Sequence, residues 1–226
     1  MSATPTLLEG GLVVDGSGGP SWPGDVLLVG DRIARLGEGL RQRLPDGMAL
    51  AEVAVVDCRG QVIAPGFIDA HTHDDAIVLR DPAYLPKISQ GITTLVTGNC
   101  GISLAPYVTD TARPPLNLLG ASSFRYPTMG AYRDAVTAAK PALNVAALVG
   151  HTTLRFATMG DLKRPARADE RARMADLLEA CMDDGAFGLS SGLFYEEAHA
   201  APADEVTDLA RVVAHHGGVY ATHLRS

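Results

Sequence analysis

Cysteine is scarce. The three residues Cys58, Cys100 and Cys181 are odd in number and far apart, which argues against a disulfide framework and makes a small buried side chain the default reading for each. Long apolar runs are absent too, and no stretch approaches the roughly 18 residues of a membrane span. The opening Met1-Ser-Ala-Thr-Pro has neither the charged nor the apolar part of a secretion signal, so we expect a soluble, cytoplasmic protein with no membrane partner. Positive charge is in short supply: 19 Lys and Arg face 26 Asp and Glu, a net charge of −7. The charges are scattered, leaving no electrostatic footprint for nucleic acid or an anionic membrane. What remains is ordinary globular material, 46% hydrophobic and 20% charged, enough for a sizeable core and incompatible with a disordered chain.

Residues 1–61 read as short strands separated by turns: Leu12-Val-Val-Asp, the turn Gly16-Ser-Gly-Gly, Asp25-Val-Leu-Leu-Val, the turn Gly30-Asp31, Arg32-Ile-Ala-Arg-Leu and Ala51 to Asp57. This is a small β module. From residue 62 the grammar changes, and short apolar runs alternate with stretches of helical period, the pattern of βα units on a parallel sheet. Five strands are predicted: Val62 to Ala70, Ile92 to Thr97, Val145 to Val149, Phe187 to Ser190 and Gly218 to Thr222. Between them, Met174, Leu177, Leu178, Cys181 and Met182 mark the apolar face of one helix, and Val206, Leu209, Val212 and Val213 that of another. At roughly 30 residues per unit, residues 62–226 hold about five βα units, where a closed barrel needs eight. Either the sheet is open or the chain is the front part of a longer protein. Tyr107 to Gly130, rich in Pro, Gly and Ser, reads as a long loop over the strand ends, a lid or a subunit contact.

The strand ends collect the chemistry, as parallel α/β folds require. Pro65-Gly-Phe-Ile-Asp-Ala-His71-Thr-His73 places two imidazoles at i and i+2, on one side of an extended segment, which is half of a zinc site. Thr97-Gly-Asn-Cys100-Gly supplies a thiol between glycines that let the backbone turn close to an ion. Tyr220-Ala-Thr-His223 ends a third strand with another imidazole, so three strand ends converge on one metal. His151 is similarly placed; it orients a ligand or contacts substrate, or is simply hydrogen-bonded in the barrel mouth. Arg155 has the planar fork for a substrate carboxylate, though a surface ion pair is the plainer expectation. Asp74 and Asp75 cap the following helix or support the metal. His199, His215 and His216 are assigned to a loop and a helix end.

Four segments in this order, Pro65 to Asp75, Gly98-Asn-Cys100-Gly-Ile-Ser-Leu-Ala-Pro, Ser191-Gly-Leu-Phe194-Tyr195 and Ala221-Thr-His223-Leu-Arg225, resemble the N-acyl-D-amino-acid deacylases, or D-aminoacylases, of the amidohydrolase superfamily. The Gly-Asn-Cys-Gly element is the specific part. The resemblance implies an α/β fold: a TIM-type (β/α)8 metal-dependent hydrolase barrel, here truncated after about strand five, with residues 62–226 as its first five βα units. Residues 1–61 are then the N-terminal part of a small β-sandwich. It implies a zinc cofactor (Zn2+) held by His71, His73, Cys100 and His223, with Cys100 standing in for the bridging carboxylated lysine of other amidohydrolases. None of Lys87, Lys140 and Lys163 lies at the Phe187 strand. Phe194 and Tyr195 line the substrate pocket, with the packing of a loop as the plainer alternative, and His151 joins them as a candidate. The implied partner is a small N-acyl-D-amino acid, and the implied reaction is hydrolysis of its amide. No catalytic acid or base is implied within the chain, the general base being expected beyond Ser226. Alternatives are another amidohydrolase reaction, such as cyclic-amide hydrolysis or deamination, and a catalytically incomplete fragment.

Overall fold

The structure is a computed structural model describing residues 4–225. It divides into one unit ending at Gly66 and another beginning at Phe67.

The first unit is a five-stranded sheet of β1 (Thr6–Val13), β2 (Trp22–Val29), β3 (Arg32–Gly37), β4 (Ala54–Asp57) and β5 (Val62–Ile63). The order is β3-β2-β1-β4, with β5 also alongside β1. The first three strands are antiparallel, and β4 and β5 run parallel to β1. A two-residue turn, Gly30-Asp31, joins β2 to β3, and Gly30 has the φ of +61° that such turns need. Neighbouring residues point to opposite faces, so Leu27 packs with Leu7, Leu40 and Val53, while Val26 packs with Val13, Cys58 and Ile63. Strand β1 begins at Thr6, earlier than the expected Leu12. Its pairing shifts between Leu8 and Gly11, and that irregularity interrupts the alternation that marks a strand. The buried Asp25 carboxylate fixes the irregular stretch, accepting the Gly10 N–H at 2.7 Å and the Leu40 N–H at 2.8 Å.

The expected strand from Val62 to Ala70 is in fact two. Val62 and Ile63 pair with β1, whereas Phe67–Asp69 (β6) opens the second sheet. Pro65 has no N–H to give a ladder, and the strand breaks there.

In the second unit β6 is followed by α1 (Ile77–Arg80), α2 (Leu85–Ile88), β7 (Ile92–Thr97), the hairpin β8 (Tyr107–Thr109) and β9 (Phe124–Tyr126), and α3 (Met129–Ala139). Then come β10 (Asn144–Gly150), α4 (His151–Thr158), α5 (Ala168–Asp183), β11 (Gly188–Gly192), α6 (Glu196–His199), α7 (Ala203–His215) and β12 (Val219–His223). The sheet order is β6-β7-β10-β11-β12, every neighbour parallel and each barrel strand beside the next in sequence. That is the order in which a (β/α) barrel is laid down. Met174, Leu178, Cys181 and Met182 of α5 and Leu209 and Val213 of α7 join Leu189 and Val149 in one core. The Thr128 hydroxyl caps α3 by accepting the Ala131 N–H at 3.0 Å.

The stretch Tyr107 to Gly130 is more ordered than a loop over the strand ends. It carries the β8–β9 hairpin, and Leu116, Leu119 and Phe124 are buried in the same core as α5. Strands of three residues and anchors spaced between prolines leave no period to read. Among the described residues no helix is long and apolar enough to cross a membrane.

Candidate metal centre

Strands β6 and β7 are parallel neighbours, so the segments leaving their C-terminal ends meet. The first carries His71 and His73, just beyond the strand rather than within it, with their rings edge to face at 5.8 Å. The second carries Cys100. One ligand atom from each of His71, His73 and Cys100 lies within 4.8 Å of the other two, and His71 Nε2 is 3.0 Å from Cys100 Sγ. The buried His73 Nδ1 has no hydrogen-bond partner among the described residues. Two imidazoles and a thiol at this separation form a donor set suited to zinc, and a buried nitrogen without a partner fits a cation better than a hydrogen-bonded pair. Burial holds His73 below the usual imidazole range, and repulsion from His71 and His223 acts the same way against the opposing pull of Asp74. A lowered value favours the neutral imidazole, the form that ligates.

The turn that presents Cys100 is built in the left-handed region. Gly98 (φ +73°), Cys100 (φ +54°) and Gly101 (φ +77°) all have positive φ, a conformation that is costly for a cysteine and persists only where the surroundings hold it. They do so on three sides. The Asp75 carboxylate accepts the Gly98 N–H at 3.2 Å. The Ser190 hydroxyl of β11 accepts the Gly101 N–H at 2.9 Å and donates to the Gly98 carbonyl at 2.5 Å. The Gly101 carbonyl takes the first free amides of α4, from Thr152 at 2.8 Å and Thr153 at 3.2 Å. Glycine is required at 98, because a Cβ there would lie 2.1 Å from the Leu148 carbonyl oxygen. Burial pushes the Cys100 thiol up, opposed by a hydrogen bond with Tyr195. Asp75 caps no helix with its side chain; burial raises it to about 7, against the hydrogen bonds it accepts.

His223 ends β12, level with Gly192 of β11. It stands outside the three-residue donor group: its ring stacks on Phe194 at 5.4 Å, 4° from parallel, with Tyr195 edge-on at 5.8 Å. Phe194, Tyr195 and His223 thus form one aromatic cluster, joined to the donor group through Tyr195 and Cys100.

His151 and Arg155 are elsewhere. Both are fully buried, and Arg155 is not in a surface ion pair. Glu205 Oε1 accepts from His151 Nε2 at 2.9 Å and from Arg155 Nη1 at 2.5 Å, while its other oxygen accepts the Ala166 N–H at 3.1 Å. Arg155 donates further to the carbonyls of Leu162, Arg164 and Glu197. His151 is thus hydrogen-bonded through Nε2, while its buried Nδ1 has no hydrogen-bond partner among the described residues. Glu205, which closes this network, gave no signal in the sequence beyond an acidic residue in the first turn of a helix. His199 and His215 end α6 and α7, and His216 caps α7 and bonds Glu179 at 2.9 Å.

Sequence reasoning also passed over Lys87 of α2. Its ammonium contacts the Asp69 carboxylate and lies 3.2 Å from Asp74 Oδ2. The Asp74 side chain in turn accepts from Thr72 Oγ1 at 2.5 Å and from the Tyr84 hydroxyl at 3.0 Å, so it braces the loop, while only the Asp74 backbone carbonyl takes the first amides of α1.

Residues 54–224 match the model of the amidohydrolase family. Over 97% of its length the chain is 48% identical to a D-aminoacylase of Alcaligenes xylosoxydans xylosoxydans, covering 44% of that protein, and 48% identical to an N-acyl-D-aspartate deacylase of the same organism, covering 43%. It superposes with a TM-score of 0.88, at 40% identity, on the crystal structure of an N-acyl-D-glutamate deacylase from Bordetella bronchiseptica, complexed with zinc and a phosphonate mimic of the tetrahedral intermediate. That match covers 98% of this chain and 45% of the other. The chain thus spans less than half the length of the relatives it matches. Its parallel sheet is part of a TIM-type barrel, and the chain belongs to the amidohydrolase family.

Proposed function

We propose that the full-length protein is a zinc-dependent deacylase of N-acyl-D-amino acids, cleaving the amide to a carboxylate and a free D-amino acid. The observation that carries this reading is the convergence of His71, His73 and Cys100 at two adjacent strand ends, with His73 Nδ1 buried and unpartnered among the described residues. Its support is the identity to D-aminoacylase and N-acyl-D-aspartate deacylase along nearly the whole chain. His71, His73 and Cys100 are ligands in this reading, with His223 as the fourth. Zinc bound there supplies Lewis acidity toward the amide carbonyl and eases the ionisation of water near neutral pH.

The chain's own residues have simpler tasks. The Cys100 turn presents the thiol, Tyr195 hydrogen-bonds it, and Phe194, about half exposed, offers an apolar wall to the substrate. His151 acts through Glu205 and Arg155, whose bond to the Glu197 carbonyl holds the segment after Tyr195. The general base is placed beyond Ser226. The first unit, which takes in Val62 and Ile63 and so ends at Gly66 rather than at residue 61, forms part of a small β-sandwich, and the second the first five βα units of the barrel. Exposed Phe67 and Ile68 on β6 and Val219 on β12, the two edge strands, support further strands completing it.

The test is a substrate panel on the full-length zinc protein: N-acetyl-D-amino acids with acidic and with apolar side chains, their L-enantiomers, and hydantoins. Turnover of the D-acyl compounds alone is the expected result. Turnover of hydantoins, or of L-enantiomers at an equal rate, contradicts the reading.

A further inference from the structure

The metal loop is clamped by a charge cluster that contains no ligand. Between Asp69 at the end of β6 and Asp74 the chain runs through both candidate histidines, and both acidic residues turn their carboxylates onto Lys87 of α2. Each carboxylate also holds the loop directly. Asp69 Oδ1 accepts the His71 N–H at 3.2 Å, and Asp74 Oδ2 accepts the Thr72 hydroxyl at 2.5 Å, with Tyr84 fixing its other oxygen at 3.0 Å. The Lys87, Asp69 and Asp74 side chains are each no more than 20% exposed. Two carboxylates sharing one partly buried site repel, and the Lys87 ammonium between them is the opposing charge that holds both in place. A surface ion pair contributes little, because water screens it and its side chains lose entropy. Lys87 differs in bridging two loop ends that must stay at a fixed separation for His71 and His73 to face Cys100.

We propose that Lys87 is a positioning residue of the metal centre, setting the His71–Thr72–His73 loop through Asp69 and Asp74 without touching metal or substrate. The proposal rests on the metal reading above. Contacts of this outer kind typically change metal affinity by about 10- to 100-fold.

The experiment is zinc affinity of the full-length protein, measured by competition with a chromophoric chelator, beside the thermal midpoint of the zinc-free form. A wild type that binds no zinc overturns the metal reading itself, and with it this proposal. Given binding, Lys87→Met is expected to raise the zinc Kd about 10- to 100-fold while the metal-free Tm moves by no more than about 3 °C. Lys87→Arg, which keeps the charge, is expected to recover most of the affinity. Should Lys87→Met fail to fold, Lys87→Gln is measured in the same way. An unchanged Kd overturns the proposal, and so does a loss of affinity that follows a fall in the metal-free Tm or that Lys87→Arg shares in full.

Discussion

Cys100→Ala in the full-length protein is expected to lose zinc on dialysis and to lose hydrolysis with it. The substitution keeps a Cβ, and Cys100 already bears the cost of a φ of +54°, so alanine adds no new backbone strain. The hydrogen bonds that shape the turn run through Gly98 and Gly101 to Asp75, Ser190 and the start of α4, and none uses the thiol. What disappears is the one donor that becomes an anion on binding, since a coordinating thiol is deprotonated outright. The fall in affinity should therefore exceed the roughly 100-fold upper range for outer contacts. The other cysteines serve as controls. Cys181 lies in the core and burial pushes it up to about 12, and Cys58 is buried in the first unit, so Cys181→Ser and Cys58→Ser should keep their zinc. Unchanged metal content in Cys100→Ala, by elemental analysis, would refute the ligand assignment.

The second large effect concerns stability. Glu205→Gln is expected to destabilise the fold by about 3–5 kcal/mol, because it leaves the Arg155 guanidinium buried without a counter-charge. Burial by itself would raise the Glu205 carboxyl, but hydrogen bonds from His151 and Arg155 hold it down at about 2. A depressed carboxyl stabilises fully above its unfolded value, near 4.5, and that contribution disappears as pH falls toward 2. Urea midpoints between pH 7 and pH 3 read this out. Wild type should lose stability over the acidic range more steeply than Glu205→Gln, so that the gap between them narrows. Equal stability at pH 7, or a gap that widens on acidification, would show that Glu205 is not the anion of this network.

Much of this was legible from sequence because β period and helix period differ. The strands at β7, β10, β11 and β12 and the faces of α5 and α7 follow from where apolar residues fall, and the strand ends pointed to His71, His73, Cys100 and His223. Local period cannot see pairing across the sheet. It missed that Pro65 divides Val62 to Asp69 between two sheets, and that Gly10-Gly11 conceals the first half of β1. Nor can it see partners distant in the chain. Arg155 reads as a surface cation until Glu205, fifty residues on, is folded against it, and Lys87 is unremarkable until Asp69 and Asp74 are brought to it. His223 shows the same limit: its strand end is where the sequence puts it, yet its ring lies on Phe194 rather than in the three-donor group.

The central claim is that a sulfur and imidazoles from these strand ends hold zinc. X-ray absorption at the zinc edge of the purified full-length protein tests it most directly. The account predicts one sulfur neighbour at about 2.3 Å and nitrogen or oxygen neighbours at about 2.0–2.1 Å. A shell of nitrogen and oxygen alone in the wild type would contradict it.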